Sequence, residues 1–283
     1  MKSHLIKIVV MLLAVAMMAP ASFARRGEKT ETFDGCERID ISTVSGDVEI
    51  RQADGDQIEV TVEWSYSPRG SYQPEMEKYK SVLRIDENMR GSNSGHSTWT
   101  ILVPSGIEID FESASGGLVA TGMDGKIRTQ TASGDIELEN CSGRFDLQTA
   151  SGDVDLIDCK GEFDVSVASG DIDARGMQLE TACSFTTASG RASVTLAESL
   201  EHDLTVSTAS GRALLDLGGF EARGYFEMVA KVRSGRIDCP LDFDDEERFR
   251  QWDQKYVRKS FTRETDSPEV FIKTASGRAV LRL

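Results

Sequence analysis

Histidine, proline and aromatic residues are scarce in this chain. Its 283 residues include 3 histidines and 6 prolines, and aromatic side chains make up 7 %. So few histidines leave little material for histidine-based catalysis or a histidine-rich metal site. Basic residues number 32 against 47 acidic ones, giving a net charge of -15. That balance argues against a nucleic-acid partner, which requires a basic surface.

Long apolar runs are also absent, except near the N-terminus. Lys2 and Lys7 precede an unbroken apolar run at 8–18, and Pro20 and small residues then lead to Ala24. The run is too short to span a bilayer, so residues 1–24 are expected to be a secretory signal peptide cleaved after Ala24, with an uncleaved anchor as the alternative. We therefore expect an extracytoplasmic protein, periplasmic, secreted or at the cell surface, with no transmembrane span in its mature chain.

What the chain has in quantity is a repeat. The tripeptide Ala-Ser-Gly, or a close variant, recurs nine times, and its serine serves here as the marker of each unit. From Ser115 onward the steps between marker serines are 18, 18, 18, 20, 21, 24 and 42 residues, which is typical of a solenoid or an array. The marker serines are Ser45, Ser115, Ser133, Ser151, Ser169, Ser189, Ser210, Ser234 and Ser276.

Apolar residues alternate with polar ones on both sides of each marker serine. Around Ser151, for example, Phe145, Leu147, Val154 and Leu156 hold the alternate positions. Period two indicates strands, so each unit reads as strand, Ser-Gly turn, strand and second turn, with the turn glycine expected at positive φ. The predicted fold is all-β: a right-handed parallel β-solenoid, β-helix-like, of about nine two-strand rungs. A compact β-sandwich is the competing architecture.

Two stretches interrupt the repeat inside what we expect to be one continuous domain, 25–283. Residues 25–114 should form an N-terminal β cap and the first rung, and residues 115–283 the repeat solenoid. The charged insertion 241–267 reads as a short helix or ordered loop that projects from one side and that the stack does not need.

The signal peptide, the Val103-Pro104 step and the recurring Thr-Ala-Ser-Gly-Asp-Ile pattern resemble a bacterial family. It is the putative-adhesin family of β-strand-repeat domains of unknown function in cell-envelope proteins. The resemblance covers about residues 33 to 283 and implies the repeat fold and a role in adhesion, with no catalytic residues. The insertion departs from the family's usual pattern.

Six carboxylates are expected to form a strip on the outer face of the stack, here called the acidic strip. Stacking would place equivalent residues about 4.8 Å apart, where like charges repel unless a cation lies between them. The alternatives are a calcium site, since calcium takes oxygen ligands, and plain turn hydrogen bonds with solvated carboxylates. No other cofactor is indicated. The acidic strip consists of Asp135, Glu137, Asp153, Asp155, Asp171 and Asp173.

In the later units, arginine replaces aspartate after the turn glycine. These four guanidinium groups could bind phosphates or acidic sugars, or they could pair with nearby carboxylates. The residues are Arg191, Arg212, Arg236 and Arg278.

No catalytic residues stand out. The marker serine has no histidine near it in sequence, and the carboxylates form repetitive columns instead of an unlike pair. Trp64, Trp99 and Trp252 suit either sugar stacking or packing. We therefore favour a non-enzymatic envelope protein that binds a surface protein or polysaccharide. The alternatives are a polysaccharide-active enzyme on a β-helix and an envelope-stress or scaffolding protein.

The cysteine count is odd. Cys141 and Cys159 lie eight residues after consecutive marker serines, so stacking would place their Cα atoms about 4.8 Å apart, within the range for a disulfide in an oxidising compartment. We predict that disulfide, with two stacked thiols as the alternative. Cys183 and Cys239 fall in apolar columns, and Cys36 has no evident partner.

Overall fold

The computed structural model describes residues 25–91, 94–251 and 253–283. The signal peptide predicted at 1–24 and the candidate Trp252 lie outside these ranges. All regular elements in the described ranges are strands, which confirms an all-β fold. The strands are β1 Arg25–Asp34, β2 Arg38–Thr43, β3 Asp47–Gln52, β4 Gln57–Ser67, β5 Tyr72–Tyr79, β6 Val82–Met89, β7 Ser94–Val103, β8 Glu108–Ser113, β9 Leu118–Thr121, β10 Asp124–Thr131, β11 Ile136–Glu139, β12 Ser142–Thr149, β13 Val154–Ile157, β14 Lys160–Ser169, β15 Ile172–Leu179, β16 Cys183–Ser189, β17 Ala192–Leu196, β18 Leu204–Asp216, β19 Gly224–Lys231, β20 Gly235–Asp238, β21 Asp245–Gln251, β22 Gln254–Arg263 and β23 Glu269–Arg282.

The strands form two parallel stacks, one on each side of the Ser-Gly turns. Strands before the turn stack in the order β6, β2, β8, β10, β12, β14, β16, β18, β23, β19. Strands after the turn stack in the order β7, β3, β9, β11, β13, β15, β17, β18, β23, β20, with β18 and β23 continuing through the turn into both stacks. The result is a β-solenoid-like repeat.

Equivalent positions of successive units lie in register, which creates the core. Phe145 pairs with Phe163 and Val154 with Ile172, and all four side chains are buried. The rings of Phe145 and Phe163 stack with their centroids 5.0 Å apart. Because the inward columns match from rung to rung, each unit buries its apolar face against its neighbours, as the alternation predicts.

The Thr-Ala-Ser-Gly turn is shaped by contact between rungs. Thr149 donates its hydroxyl hydrogen to the carbonyl oxygen of Gly134 in the preceding rung, at 3.1 Å. The positive φ that the sequence led us to expect is missing at Gly152, but it is present at the later turn glycines Gly170, Gly190, Gly211 and Gly277. A Cβ at Gly152 would instead overlap the carbonyl oxygen of Gly134. Glycine is needed there because the two rungs approach too closely for a side chain.

At the C-terminal end, spatial order departs from chain order. The last strand, β23, lies between β18 and β19, so the Ser234 unit is the outermost of the marked units. Before its turn this unit is displaced by two residues, because Ala230 pairs with Thr274 while Arg236 pairs with Arg278. The displacement lengthens the turn before Ser234, and an even shift keeps Ala230 facing inward.

Antiparallel strands cover both ends of the stack. At the N-terminal end, β5 pairs with β6, β4 with β7 and β1 with β4. At the other end, β21 and β22 form a hairpin, and β22 pairs antiparallel with β19. The expected helix or projecting loop at 241–267 is therefore wrong. The segment is an extra pair of strands, since the edge of β19 needs hydrogen-bond partners and Phe226 needs the cover of Phe261.

Candidate functional site

The outward column that follows the turn glycines runs the length of the marked units and changes sign along the way. In its acidic half, each aspartate binds the backbone of the next rung. The Oδ1 atom of Asp135 accepts a hydrogen bond from the N–H of Asp153 at 2.9 Å, that of Asp153 accepts one from Asp171 at 2.7 Å, and that of Asp171 accepts one from Arg191 at 2.8 Å. These carboxylates tie the rungs together.

The remaining carboxylates of the acidic strip lie in the next outward column. Asp155 and Asp173 pair in register, and Arg175 lies 3.8 Å from the first and 3.7 Å from the second. Burial, followed by the charge of Asp173, raises the pKa of Asp155. Glu137 pairs in register with Asp155 and is exposed. Throughout the described ranges, no three histidine, cysteine or carboxylate side chains converge as a metal site would require. The aspartates of the acidic strip do accept backbone hydrogen bonds at the turns, but each bond joins two neighbouring rungs and does not close a turn within one rung.

The basic half of the same column is assembled by the position of β23. Arg191 still has a partner, Asp171, at 3.3 Å. Beyond it, Arg212 pairs in register with Arg278, and Arg278 pairs with Arg236. We call Arg212, Arg278 and Arg236 the arginine ladder. Within the described part of the chain, no carboxylate forms an ion pair with these three residues.

A shallow groove runs parallel to the stack axis on the other side of the marker serines. It has a volume of about 770 Å³ and spans the units from Ser133 to Ser276. Its walls are columns of threonine, alanine, serine and glutamine, and Lys273 is the one charged residue among its described lining residues. Such a lining offers hydroxyl and amide groups, and its described residues include no carboxylate or histidine for acid–base chemistry.

Cys141 and Cys159 stack as predicted, yet both are free thiols in the structure. The Sγ atom of Cys141 lies 3.4 Å from the carbonyl oxygen of Ala120, and that of Cys159 lies 3.5 Å from that of Leu138. The neighbouring thiol of Cys141, together with burial, raises the pKa of Cys159. The predicted disulfide is therefore not present. In-register parallel residues point their Cβ atoms the same way, whereas a disulfide needs a torsion of about 90°. Cys36, Cys183 and Cys239 are also free.

One polar cluster gave no signal in the repeat spacing. Glu87, at the end of β6, accepts hydrogen bonds from the backbone N–H groups of Val44, Ser45 and Gly46 at 2.9 to 3.3 Å. It also accepts one from the indole N–H of Trp99 at 3.2 Å. Because the first marker turn has no rung of its own kind on its outer side, Glu87 satisfies the turn's donors.

The two tryptophans in the described ranges, Trp64 and Trp99, differ in their surroundings. Trp99 is fully buried, which rules out sugar stacking on its ring. The indole of Trp64 is half-buried, packs against the backbone of Gly27 and lies with its ring centroid 5.7 Å from that of Tyr72. Both rings therefore pack within the N-terminal cap.

Comparisons with known proteins give a family match for part of the chain and a similar fold. The family model described as Toastrack DUF4097 matches residues 107–225. A putative adhesin from Bacteroides fragilis NCTC 9343 is similar in structure, with 11 % identity, a TM-score of 0.52, and 93 % of this chain and 99 % of that chain covered. A putative adhesin from Parabacteroides merdae ATCC 43184 has 10 % identity and a TM-score of 0.46, with 92 % and 96 % covered. The chain matches no curated protein at a significant level.

Proposed function

Because residues 107–225 form a Toastrack DUF4097 domain within a β-solenoid-like stack, we propose that this chain is an exported, non-enzymatic cell-envelope protein that binds its partner through its repetitive outer surface. The observation that carries the proposal is the sameness of that surface. In each outward column, successive rungs place a side chain at the same position, and several rungs in a row carry the same residue type, as with Asp135, Asp153 and Asp171. Extended, repetitive surfaces of stacked repeats are suited to binding.

Three further points support the proposal. The N-terminal pattern of residues 1–24 is that of an export signal. About nine two-strand rungs, as the marker serines indicate, would provide a long face for a partner. The structurally similar Bacteroides fragilis protein carries the name adhesin. No helix in the described ranges has the length and apolarity of a membrane span.

An enzymatic role on polysaccharide is less well supported. The described lining of the groove along the stack contains neither a carboxylate nor a histidine. Hydrolysis of a glycosidic bond uses a pair of carboxylates on opposite sides of the bond. A scaffolding role is compatible with the same surface and differs from adhesion only in the partner.

Fractionation and binding together test the proposal. The full chain and a variant lacking residues 2–24 would be produced in a Gram-negative host, and export would be followed in periplasmic and surface fractions. The purified exported protein would then be titrated onto washed envelopes. We expect export that requires residues 2–24, and saturable binding that unlabelled protein displaces. Cytoplasmic retention of the full chain, or binding that does not saturate, would contradict the proposal.

A further inference from the structure

In the arginine ladder, the stacked guanidinium groups have neither an ion pair nor a side-chain hydrogen bond within the described residues. Arg212, Arg278 and Arg236 occupy successive rungs, and parallel strands lie about 4.8 Å apart. Arg236 and Arg278 are exposed, and Arg212 is half-buried. Like charges directly opposite each other in a sheet are destabilising, so this arrangement opposes folding unless an anion joins it.

Several outward arginines elsewhere in the stack are compensated. Arg128 lies 3.5 Å from a carboxylate oxygen of Asp146, and Arg144 lies 3.1 Å from one of Glu162. Arg175 lies between two aspartates. By contrast, no ion pair to the ladder occurs among the described residues. The ladder is therefore distinct from the ordinary ion-paired surface of the fold.

A comparison of the acidic and basic halves of the column suggests which ligand the arginine ladder binds. In the acidic half, a carboxylate of the protein bridges consecutive rungs. Asp153, for example, accepts a hydrogen bond from the backbone N–H of Asp171. In the ladder the protein supplies no such carboxylate between the rungs. The neighbouring outward column holds Leu214, Val280 and, beside Arg236, Asp238, which forms no ion pair with the ladder among the described residues. A guanidinium group matches a planar carboxylate through two parallel hydrogen bonds. The complementary ligand is a row of carboxylates at a spacing near that of the strands.

We propose that the arginine ladder binds a linear acidic polysaccharide, with successive sugar carboxylates held by successive arginines. This inference rests on the proposed envelope-binding function and names its ligand class. Exposed hydroxyl groups accompany the ladder, because Ser210 and Ser276 lie in register two residues before Arg212 and Arg278. They can hydrogen-bond sugar hydroxyls.

Polygalacturonate is the probe, and dextran is the neutral control polymer. Binding to the purified exported protein would be measured for the wild type, for a ladder variant carrying Arg212→Gln, Arg236→Gln and Arg278→Gln, and for a matched variant carrying Arg128→Gln, Arg144→Gln and Arg175→Gln. The two variants change the net charge equally. We expect salt-sensitive binding that the ladder variant weakens at least about tenfold while the matched variant retains it.

Thermal melting without polymer separates a binding role from a structural one. We expect the ladder variant to melt at the same temperature as the wild type or higher, because repulsion is removed. A lower melting temperature, equal weakening by both variants, or wild-type binding to polyphosphate or phosphatidylglycerol vesicles but not to polygalacturonate would overturn the inference. If polygalacturonate does not bind while saturable binding to envelopes persists, the proposed function stands, and the arginine ladder is not the site that binds the envelope.

Discussion

In the Thr-Ala-Ser-Gly turn, the roles of threonine and glycine become clear only when the units are stacked. The hydroxyl of Thr149 bonds to the preceding rung, and the backbone of Gly152 approaches that rung so closely that a side chain cannot fit. Ser151 is exposed, and no hydrogen bond of its side chain is found among the described residues. The turn is thus a stacking element, which explains why its serine recurs without a base nearby.

We expect Gly152→Ala to destabilise the protein by about 1–3 kcal/mol, the usual effect of overpacking. The added Cβ would meet the carbonyl oxygen of Gly134, and backbone cannot move aside cheaply. Ser151→Ala is the control in the same turn, with an expected effect within about 0.5 kcal/mol. Urea unfolding followed by circular dichroism measures both. Equal stability of the two variants would show that the rungs are not packed as described.

Two neighbouring aspartates should respond in opposite directions to the same change of charge. Asp153→Asn weakens a charge-assisted bond to the next rung and should lower the melting temperature. Burial and the charge of Asp173 raise the pKa of Asp155, so the folded protein binds a proton at this carboxyl more tightly than the unfolded chain does. The stability linked to this group is present at low pH and lost as pH rises through its folded pKa.

Asp155→Asn should therefore raise the melting temperature at pH 7, and the gain should disappear below about pH 3.9, where aspartate is protonated in the unfolded chain as well. Melting curves of both variants between pH 3 and pH 8 provide the measurement. If Asp155→Asn lowers stability at pH 7, the ion pairs to Arg175 outweigh burial and the argument fails.

The thiols of Cys141 and Cys159 should remain unoxidised in the exported protein, because their parallel Cβ vectors do not suit a disulfide. Alkylation under denaturing, non-reducing conditions followed by peptide mapping should label both residues. Cys239, which is free and half-buried, serves as the positive control for labelling. A linked Cys141–Cys159 peptide would show that the second turn distorts to accept the bond.

Among the elements, the hairpin formed by β21 and β22 differs most from its sequence expectation. Its strand β22 pairs with β19, and the ring of Phe261 stacks on that of Phe226 with centroids 4.8 Å apart. The hairpin thus closes the core at one end, as β4 and β5 do at the other. The stack is therefore expected to need this segment as the cover of its core, contrary to the expectation from the sequence.

Phe261→Ala should destabilise the protein by roughly 3–5 kcal/mol, since the side chain is fully buried over the end of the stack. Phe249→Ala is the matched control within the hairpin. Its ring is half-buried and lies beneath the guanidinium of Arg258, so a loss below about 1 kcal/mol is expected. Chemical unfolding of the two variants compares them. Similar losses of unfolding free energy in the two variants would mean that the hairpin as a whole, and not its contact with β19, covers the end of the core.

For the whole molecule, the position of β23 makes the C-terminal end of the chain an internal part of the stack. Removing residues 269–283 should leave β18 and β19 without their shared neighbour and unfold the last units. Removing residues 25–34 instead takes away β1, which pairs with β4 at the outer margin, and should leave the stack folded. Limited proteolysis and thermal melting distinguish the two truncations. A folded 25–268 chain would show that β18 and β19 can pair directly.

Much of this architecture could be predicted from the sequence because it depends on local periodicity. Alternation of apolar residues, as at Phe145 and Leu147, fixes which face of each strand is inward, and the 18-residue step fixes which positions stack. The outward column of aspartates follows from the same step. The order of the arginines does not, because β23 places Arg278 between Arg212 and Arg236. Tertiary structure decided what spacing does not encode: the insertion of β23 between β18 and β19, the hairpin over β19, and the bonds of Glu87. These depend on unpaired edges and donors that exist only once the rungs are stacked, so no local pattern announces them.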